Sequence, residues 1–328
     1  MASVPTVLIT GACGYIGSRL VEKLLGVGIK VIAVDNLAYG QRHIPPMFLG
    51  HPNFEFHELD VRRKNYLPLL QKADVVIPLA AIVGAPVCEK NPATAKAVNS
   101  DQIYDIVSNL SPEQRLIAPN TNSGYGATDG TSEVTEEDPL SPISVYGKTK
   151  CEGESHALSH PNTVVMRLAT VFGASPRMRF DLMVNDFTLR LHKIRREFLL
   201  SLSPHLVTFG IFEPHFKRNF VHVKDVTGAM LFFITHPYLS GVYNVGLPTA
   251  NLTKWELAEK ICDVLEMPKS VLSVAIGHDP DKRNYIVSNR KLLSEGFTFK
   301  NTLEQGIKEV ATLCDYYTPG EISKLRNV

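Results

Sequence analysis

Residues 7–36 read VLITGACGYIGSRLVEKLLGVGIKVIAVDN. The run opens on four apolar or β-branched residues, Val7 to Thr10, the pattern of a strand buried on both faces. Gly11, Gly14 and Gly17 follow at G-x-x-G-x-x-G spacing, and Ile16, Leu20, Leu24 and Leu25 then recur with helical period. A second apolar run, Val31 to Val34, ends on Asp35. Glycines let the backbone turn tightly and approach a pyrophosphate closely. The N-terminus of the following helix offers unpaired N–H groups and the positive end of its dipole to that pyrophosphate. A carboxylate at the end of the second strand accepts hydrogen bonds from an adenosine ribose, and Asp35 stands 18 residues beyond Gly17, near the spacing of about 20 such folds use. The stretch predicts a dinucleotide-binding βαβ unit. A carboxylate there suits a free 2′-hydroxyl and repels a 2′-phosphate, so the expected cofactor is NAD, not NADP.

The alternation continues outward from this unit. Strands are predicted over Phe54 to Leu59, Asp74 to Leu79, Arg115 to Pro119 and Asn162 to Leu168, with helices over Pro92 to Leu110 and Pro142 to Leu158. This is the rhythm of an α/β, doubly wound parallel sheet, the Rossmann class, whose ligands bind beyond the carboxyl ends of the strands. After about residue 174 the rhythm changes. A strand is expected over Arg218 to Val223, helices over Asp225 to Thr235, Thr253 to Leu265 and Thr302 to Cys314, and a strand-like run over Val271 to Ile276. The reading is a dinucleotide-binding domain over 1–173 with a return segment at about 216–236, and a smaller α/β substrate-binding lobe over 174–215 and 237–328.

Composition excludes several classes. The chain has 328 residues, 44% hydrophobic and 20% charged, with a formal net charge of +1. That balance gives no electrostatic case for nucleic acid or an anionic membrane surface. The most apolar stretch, Ala73 to Cys88, is interrupted by Pro78, Gly84 and Pro86 and is too short to span a bilayer. The first strand begins too early to leave room for a leader, and five scattered cysteines suit free thiols, so a cytoplasmic location is expected. His156 and His160 form no metal site with any third ligand near in sequence, and no metal is expected.

Two further stretches carry chemistry. Tyr146 and Lys150 form a Y-x-x-x-K pair, one turn apart on a predicted helix. An ammonium beside a phenol favours the phenolate and would lower its pKa, which would make Tyr146 a general base. Directly after the fifth strand, Thr121, Asn122 and Ser123 place hydroxyl and amide groups where they could hold a substrate hydroxyl against Tyr146.

Together these blocks resemble the extended short-chain dehydrogenase/reductase family, specifically its nucleotide-sugar epimerases and dehydratases. GACGYIGS, VIAVDN, ELDVR, PLAA at 78–81, SVYGKTK, RLATVFG at 167–173 and RNFVHVKDV at 218–226 stand in family order. The resemblance implies Thr121, Tyr146 and Lys150 as the catalytic triad. It implies a cofactor site of Gly11, Gly14, Tyr15, Ile16, Gly17, Asp35, Asn36, Leu79, Ala80, Ala81 and Asn99, with Asp60 and Val61 at the adenine. It implies Val83, Asn122, Ser123, Arg218 and Arg283 around the substrate, the arginines on its diphosphate. AAIVGAPVC, PNTNSGYG and FGASPRMRFDLMVNDF resemble the branch of GDP-heptose 4-dehydrogenases of bacterial capsule synthesis, which would add Arg177, Arg179 and Asn185 to the substrate's neighbours. A homodimer is implied through the helices at 92–110 and 142–158. Dehydratases of the family carry an Asp-Glu pair where this chain has Asn122 and Ser123, which disfavours water elimination. The implied function is NAD-dependent oxidation at the 4-position of a nucleotide-diphosphate sugar. A 4-epimerase that returns the hydride, and a scaffold that only senses NAD, remain as alternatives.

Overall fold

Apolar, β-branched runs become strands and the amphipathic links between them become helices. The structure is a computed structural model that describes residues 4–200, 208–277 and 283–327. In chain order it runs β1 (Thr6–Thr10), α1 (Tyr15–Gly26), β2 (Lys30–Asp35), β3 (Phe54–Glu58), β4 (Val75–Pro78), α2 (Ala85–Lys90), α3 (Pro92–Lys96), α4 (Gln102–Val107), β5 (Arg115–Thr121), β6 (Glu133–Val134), α5 (Val145–Leu158) and β7 (Thr163–Leu168). The remainder is β8 (Thr170–Phe172), α6 (Met183–Leu200), β9 (Phe209–Ile211), β10 (Lys217–His222), α7 (Val223–Thr235), β11 (Gly241–Val245), β12 (Asn251–Thr253), α8 (Lys254–Val264), β13 (Leu272–Val274), β14 (Ile286–Val287), α9 (Arg290–Ser294), α10 (Leu303–Tyr316) and α11 (Pro319–Lys324).

Seven strands form one sheet in the order β11-β7-β5-β4-β1-β2-β3, and every pairing is parallel, with Ile9 beside Ala33 on one side and Ile77 on the other. Strand alternation sends Val7, Ile9, Val31 and Ala33 into a core shared with α1 and α7, and Leu8, Ile32 and Val34 into a core shared with α4 and α5. The chain leaves β1 toward β2 and β3, then returns to the other side of β1 as β4. That reversal opens a crevice beyond the ends of β1 and β4. A second core, built from Phe172, Val184, Phe209, Phe220, Leu257 and Ile261, fastens α6, α8 and the three-stranded sheet β12-β10-β8 beside that crevice.

Two expectations need correction. The sequence places everything after residue 237 in the smaller lobe, yet Gly241–Val245 is the outermost strand of the main sheet, in register with Val164–Leu168 of β7. Its neighbour covers it on one side only, so a short, half-polar run suffices. The single helix expected over 92–110 is interrupted by a π-type turn at Ala97–Asp101. That widened turn carries Asn99, and α5 lies so close to it that a Cβ on Gly153 would stand 2.3 Å from the Asn99 carbonyl oxygen. Tyr104 on α4 and Leu158 on α5, the helices of the implied dimer, are solvent-exposed.

Candidate active site

The glycines of the first loop each answer a different steric demand. Gly11 has φ +70°, and a Cβ there would meet the Ala80 nitrogen at 2.5 Å and the Leu79 carbonyl carbon at 2.7 Å, where the loop after β4 crosses it. A Cβ on Gly17 would stand 2.2 Å from the Gly11 oxygen, so α1 packs directly on its own entry loop. Gly14 is the N-cap of α1 and brings no side chain to the first-turn N–H groups, which leaves those donors for an anion.

Asp35 ends β2 and is buried. Its Oδ2 accepts the Cys13 N–H at 2.9 Å. Its Oδ1 accepts the Leu37 N–H at 2.8 Å and the Gln41 amide at 3.3 Å. Burial pushes the carboxyl pKa up, against the pull of those N–H donors. Asp60 caps the short turn Val61–Arg63 and pairs with the Arg62 guanidinium at 2.5 Å, which holds its carboxyl down at about 2.

The triad residues converge from β5 and α5. Ser144 caps α5 by accepting the Gly147 N–H at 3.1 Å, and this fixes the first turn that carries Tyr146. The Tyr146 phenol and the Thr121 hydroxyl line the same cleft. Thr121 Oγ1 lies 2.8 Å from Ser123 Oγ, and Arg283 donates to that same Ser123 oxygen. Lys150 is buried and donates from Nζ to the Pro119 carbonyl at 2.7 Å. Here the expected electrostatics fail. Burial pushes the Tyr146 pKa above its ordinary value, and the opposing influences come from Thr121, Arg283 and Arg179. Lys150 has itself been brought down to about 8 by burial, partly offset by Glu154. Desolvation outweighs the one-turn neighbour that the motif supplies.

One cleft of about 800 Å³ gathers most of the expected residues: Gly11, Gly14, Tyr15, Ile16, Gly17, Asp35, Asn36, Asp60, Val61, Leu79, Ala80, Ala81, Val83, Thr121, Ser123, Tyr146, Lys150, Arg177, Arg179, Arg218 and Arg283 all line it. Three expected residues do not. Asn99 is bound to both the N–H and the carbonyl of Ile82, at 2.9 and 3.0 Å, and to Thr149 Oγ1 at 3.1 Å, so it shapes the cleft wall from behind. Asn185 accepts the Gly173 N–H at 3.1 Å and donates to the Arg179 carbonyl at 2.9 Å, which holds the loop bearing Arg179. Asn122 is buried behind Thr121 and Ser123.

Comparisons with known proteins identify the family. Residues 7–246 match the family described as "NAD dependent epimerase/dehydratase family". The chain belongs to that family. It is 26% identical over 325 residues to the low-salt glycan biosynthesis protein Agl12 of Haloferax volcanii, covering 95% of this chain and 98% of that one. It is 25% identical over 252 residues to the UDP-glucose 4-epimerase of Azospirillum brasilense, covering 72% and 70%. In fold it is similar to the dTDP-glucose 4,6-dehydratase of Bacillus anthracis, solved in complex with NAD, with a TM-score of 0.80 at 22% identity over 98% of this chain and 100% of the other.

The protein is thus an NAD-dependent enzyme of the extended short-chain dehydrogenase/reductase type, and the residues present fit the cofactor. The uncapped α1 N-terminus and the side-chain-free approach at Gly14 suit a pyrophosphate. Asp35 and Asn36 line the same cleft, and a carboxylate at the end of β2 suits an adenosine ribose and disfavours a 2′-phosphate.

The site also contains residues that motif reading passed over. Glu154 stands one turn beyond Lys150 on α5 and binds the Arg167 guanidinium at 2.7 Å, both side chains buried. The other Glu154 oxygen accepts from Asn120, the residue before Thr121. Arg167 reaches on to the Tyr125 hydroxyl at 2.9 Å, and that hydroxyl donates to Asn244 at 2.8 Å. This network ties β5, α5, β7 and β11 together behind the triad. One signal was available: Arg167 interrupts the otherwise apolar run VVMRLA, and a charge inside a buried strand demands a partner. Tyr39, Asp181, Tyr285 and Asn327 also line the cleft, and none belongs to a spaced motif.

Proposed function

We propose that the protein oxidises the 4-hydroxyl of a nucleotide-diphosphate sugar and releases the 4-keto sugar, acting as a nucleotide-sugar 4-dehydrogenase. The observation that carries this reading is the convergence of Tyr146, Lys150, Thr121 and Ser123 on one cleft that Arg177, Arg179, Arg218 and Arg283 also line. Bound NAD supplies the acceptor for the hydrogen that leaves the sugar carbon as hydride. Tyr146 takes the hydroxyl proton, and Thr121 and Ser123 orient that hydroxyl. Lys150 would hold the nicotinamide ribose, Asp35 the adenosine ribose, and the loop of Gly11, Gly14 and Gly17 the pyrophosphate. Arg218 and Arg283 recognise the substrate diphosphate, since guanidinium groups bind phosphate through paired N–H donors.

Elimination of water from the keto sugar needs a carboxylic acid next to the triad, and this chain has Asn122 and Ser123 there. Among the described carboxylates that line the cleft, Asp60 is held by Arg62, Asp181 by Arg179 and Asp186 by Arg326, and Asp35 belongs to the adenosine end. A GDP-heptose is the first sugar to test, on the likeness of AAIVGAPVC and FGASPRMRFDLMVNDF to that branch. The relatives named as 4-epimerases favour a second outcome of the same first step, in which the keto sugar turns over and the hydride returns to its other face.

The test is to incubate the purified enzyme and NAD with a panel of GDP-, UDP- and dTDP-sugars and analyse the products by mass and by NMR. A product lighter by two hydrogens, with NADH accumulating, supports the dehydrogenase. An isomer of unchanged mass with inverted C4 supports the epimerase. Tyr146→Phe should abolish either product while NAD binding persists; a Phe variant with unchanged turnover would overturn the proton-transfer role.

A further inference from the structure

Arg177 is one of the largest buried side chains of the protein, 2% exposed, and it lines the cleft. Its direct partners are neutral. Nη2 donates to Asn327 Oδ1 at 2.5 Å, and the guanidinium carbon stands 4.9 Å from the centre of the Tyr39 ring. Among the described residues no carboxylate forms an ion pair with it. Asp181 and Asp35 stand near enough to favour its charge without pairing with it, yet burial dominates and pulls its pKa down; a buried guanidinium with no direct anionic partner is costly, so this cleft wall suits an incoming anion.

The surroundings say which anion. Tyr39 belongs to the loop that follows β2, the strand ending on Asp35, and lines the cleft together with Asp35 and Asn36. The segment bearing Arg177 is fastened to the start of α1, because Ser175 donates to the Tyr15 carbonyl at 2.6 Å and the Tyr15 hydroxyl donates to the Gly173 carbonyl at 2.6 Å. The segment bearing Arg177 is therefore held beside the start of α1, and Arg177 lines the same cleft as Gly14 and Tyr15. Arg283 instead binds Ser123 beside the triad, and Arg218 lies 5.9 Å from the Tyr285 ring.

We propose that Asn327 positions Arg177 on the pyrophosphate of the bound dinucleotide, and that the segment Leu325–Asn327 straps the cofactor end of the cleft. Two more bonds hold the strap: the Phe180 N–H donates to the Leu325 carbonyl at 2.9 Å, and Arg326 pairs with Asp186 at 2.9 Å. Arg177 thus moves from the sugar's neighbours, where motif likeness placed it, to the cofactor's. Asn327 is a positioning residue, acting through Arg177.

Direct titration of the whole protein, without any sugar, tests this. Asn327→Ala should weaken NAD binding about tenfold, as expected for loss of one hydrogen bond to a charged group, and Arg177→Ala should weaken it by about tenfold to a hundredfold. GDP and UDP titrated in the absence of NAD should bind both variants as they bind the parent. Loss of its bond to the buried guanidinium should itself lower the melting temperature of Asn327→Ala without NAD by about 2–4 °C, and the rise produced by NAD should shrink as well; the smaller rise separates positioning from a merely structural role. Added salt should weaken NAD binding less in Arg177→Ala than in the parent, because one phosphate contact is gone. Unchanged NAD affinity in both variants, or a loss confined to GDP and UDP, overturns the assignment. These readouts do not depend on which sugar, if any, is oxidised.

Discussion

Replacing Glu154 with alanine is the sharpest probe of the network behind the triad. In the native protein its two oxygens hold Arg167 at 2.7 Å and the Asn120 amide. Arg167 keeps only the Tyr125 hydroxyl at 2.9 Å and the Glu136 carbonyl at 3.2 Å once Glu154 is gone. An uncompensated buried guanidinium costs about 3–5 kcal/mol. Unfolding entropy of about 2.1 cal/mol/K per residue over 328 residues gives about 0.7 kcal/mol/K. The expected fall in melting temperature is therefore about 4–7 °C, read by calorimetry. The double variant Glu154→Ala/Arg167→Met removes both charges together and should lose less than the sum of the two single losses. Glu154→Gln keeps the shape and removes the charge that holds the Lys150 pKa up, so the pH dependence of turnover should shift to lower pH. A fall of less than about 1 °C for Glu154→Ala, or strict additivity in the cycle, would refute the claim that this pair is an interdependent buried unit.

The Lys150 pKa of about 8 and the raised Tyr146 pKa set the sign of a pH profile. The reactive pair carries one proton fewer than the fully protonated pair, and the first proton leaves near 8. Thus kcat/KM should rise as pH increases through about 8, whichever residue formally gives it up. Lys150→Met should postpone that rise to the phenol's own range above about 10, and a parent profile flat between about pH 7 and 9 would refute the assignment. Gly17→Ala should destabilise by about 1–3 kcal/mol despite alanine's better helix propensity, because its Cβ would meet the Gly11 backbone oxygen at 2.2 Å. Gly26→Ala, on the same helix with nothing within 4 Å of its Cβ position, should be neutral or stabilising by up to about 1 kcal/mol; equal melting temperatures for the two variants would show that loop packing is not the constraint.

What could be read from the sequence follows from which contacts are local. Gly11, Gly14 and Gly17 are spaced by a turn and a helix start, and Tyr146 and Lys150 by one helical turn, so their juxtaposition needs no knowledge of the rest of the chain. The parallel sheet follows from repetition of the same βα unit. The outermost strand Gly241–Val245 escaped because an edge strand needs neither length nor an unbroken apolar run, and its strand partner lies more than seventy residues earlier. The π-type turn at Asn99 escaped because it depends on how closely α5 approaches at Gly153, which no period records.

The proton affinities at the triad escaped for a deeper reason. A Y-x-x-x-K motif specifies that two groups are neighbours, and neighbours alone would lower the phenol's pKa. Whether they do depends on how much water each has lost, and that is decided by elements far apart in sequence: β5 supplies Pro119 and Thr121, and Arg283 closes on Ser123 from the other end of the chain. Burial raises Tyr146 and lowers Lys150 at once, so the phenol keeps its proton while the ammonium approaches neutrality near pH 8. The same enclosure that makes the pair reluctant to ionise also raises the strength of any charge delivered to it, since interactions in low dielectric are stronger than in water. A diphosphate and a dinucleotide seated in this cleft would change that balance, because they would bring anions against Arg179 and Arg283, whose fields now favour the phenolate. If Tyr146 takes the proton as proposed, that transfer is coupled to occupancy of the whole cleft, a property of the assembled walls that no motif of five residues can carry.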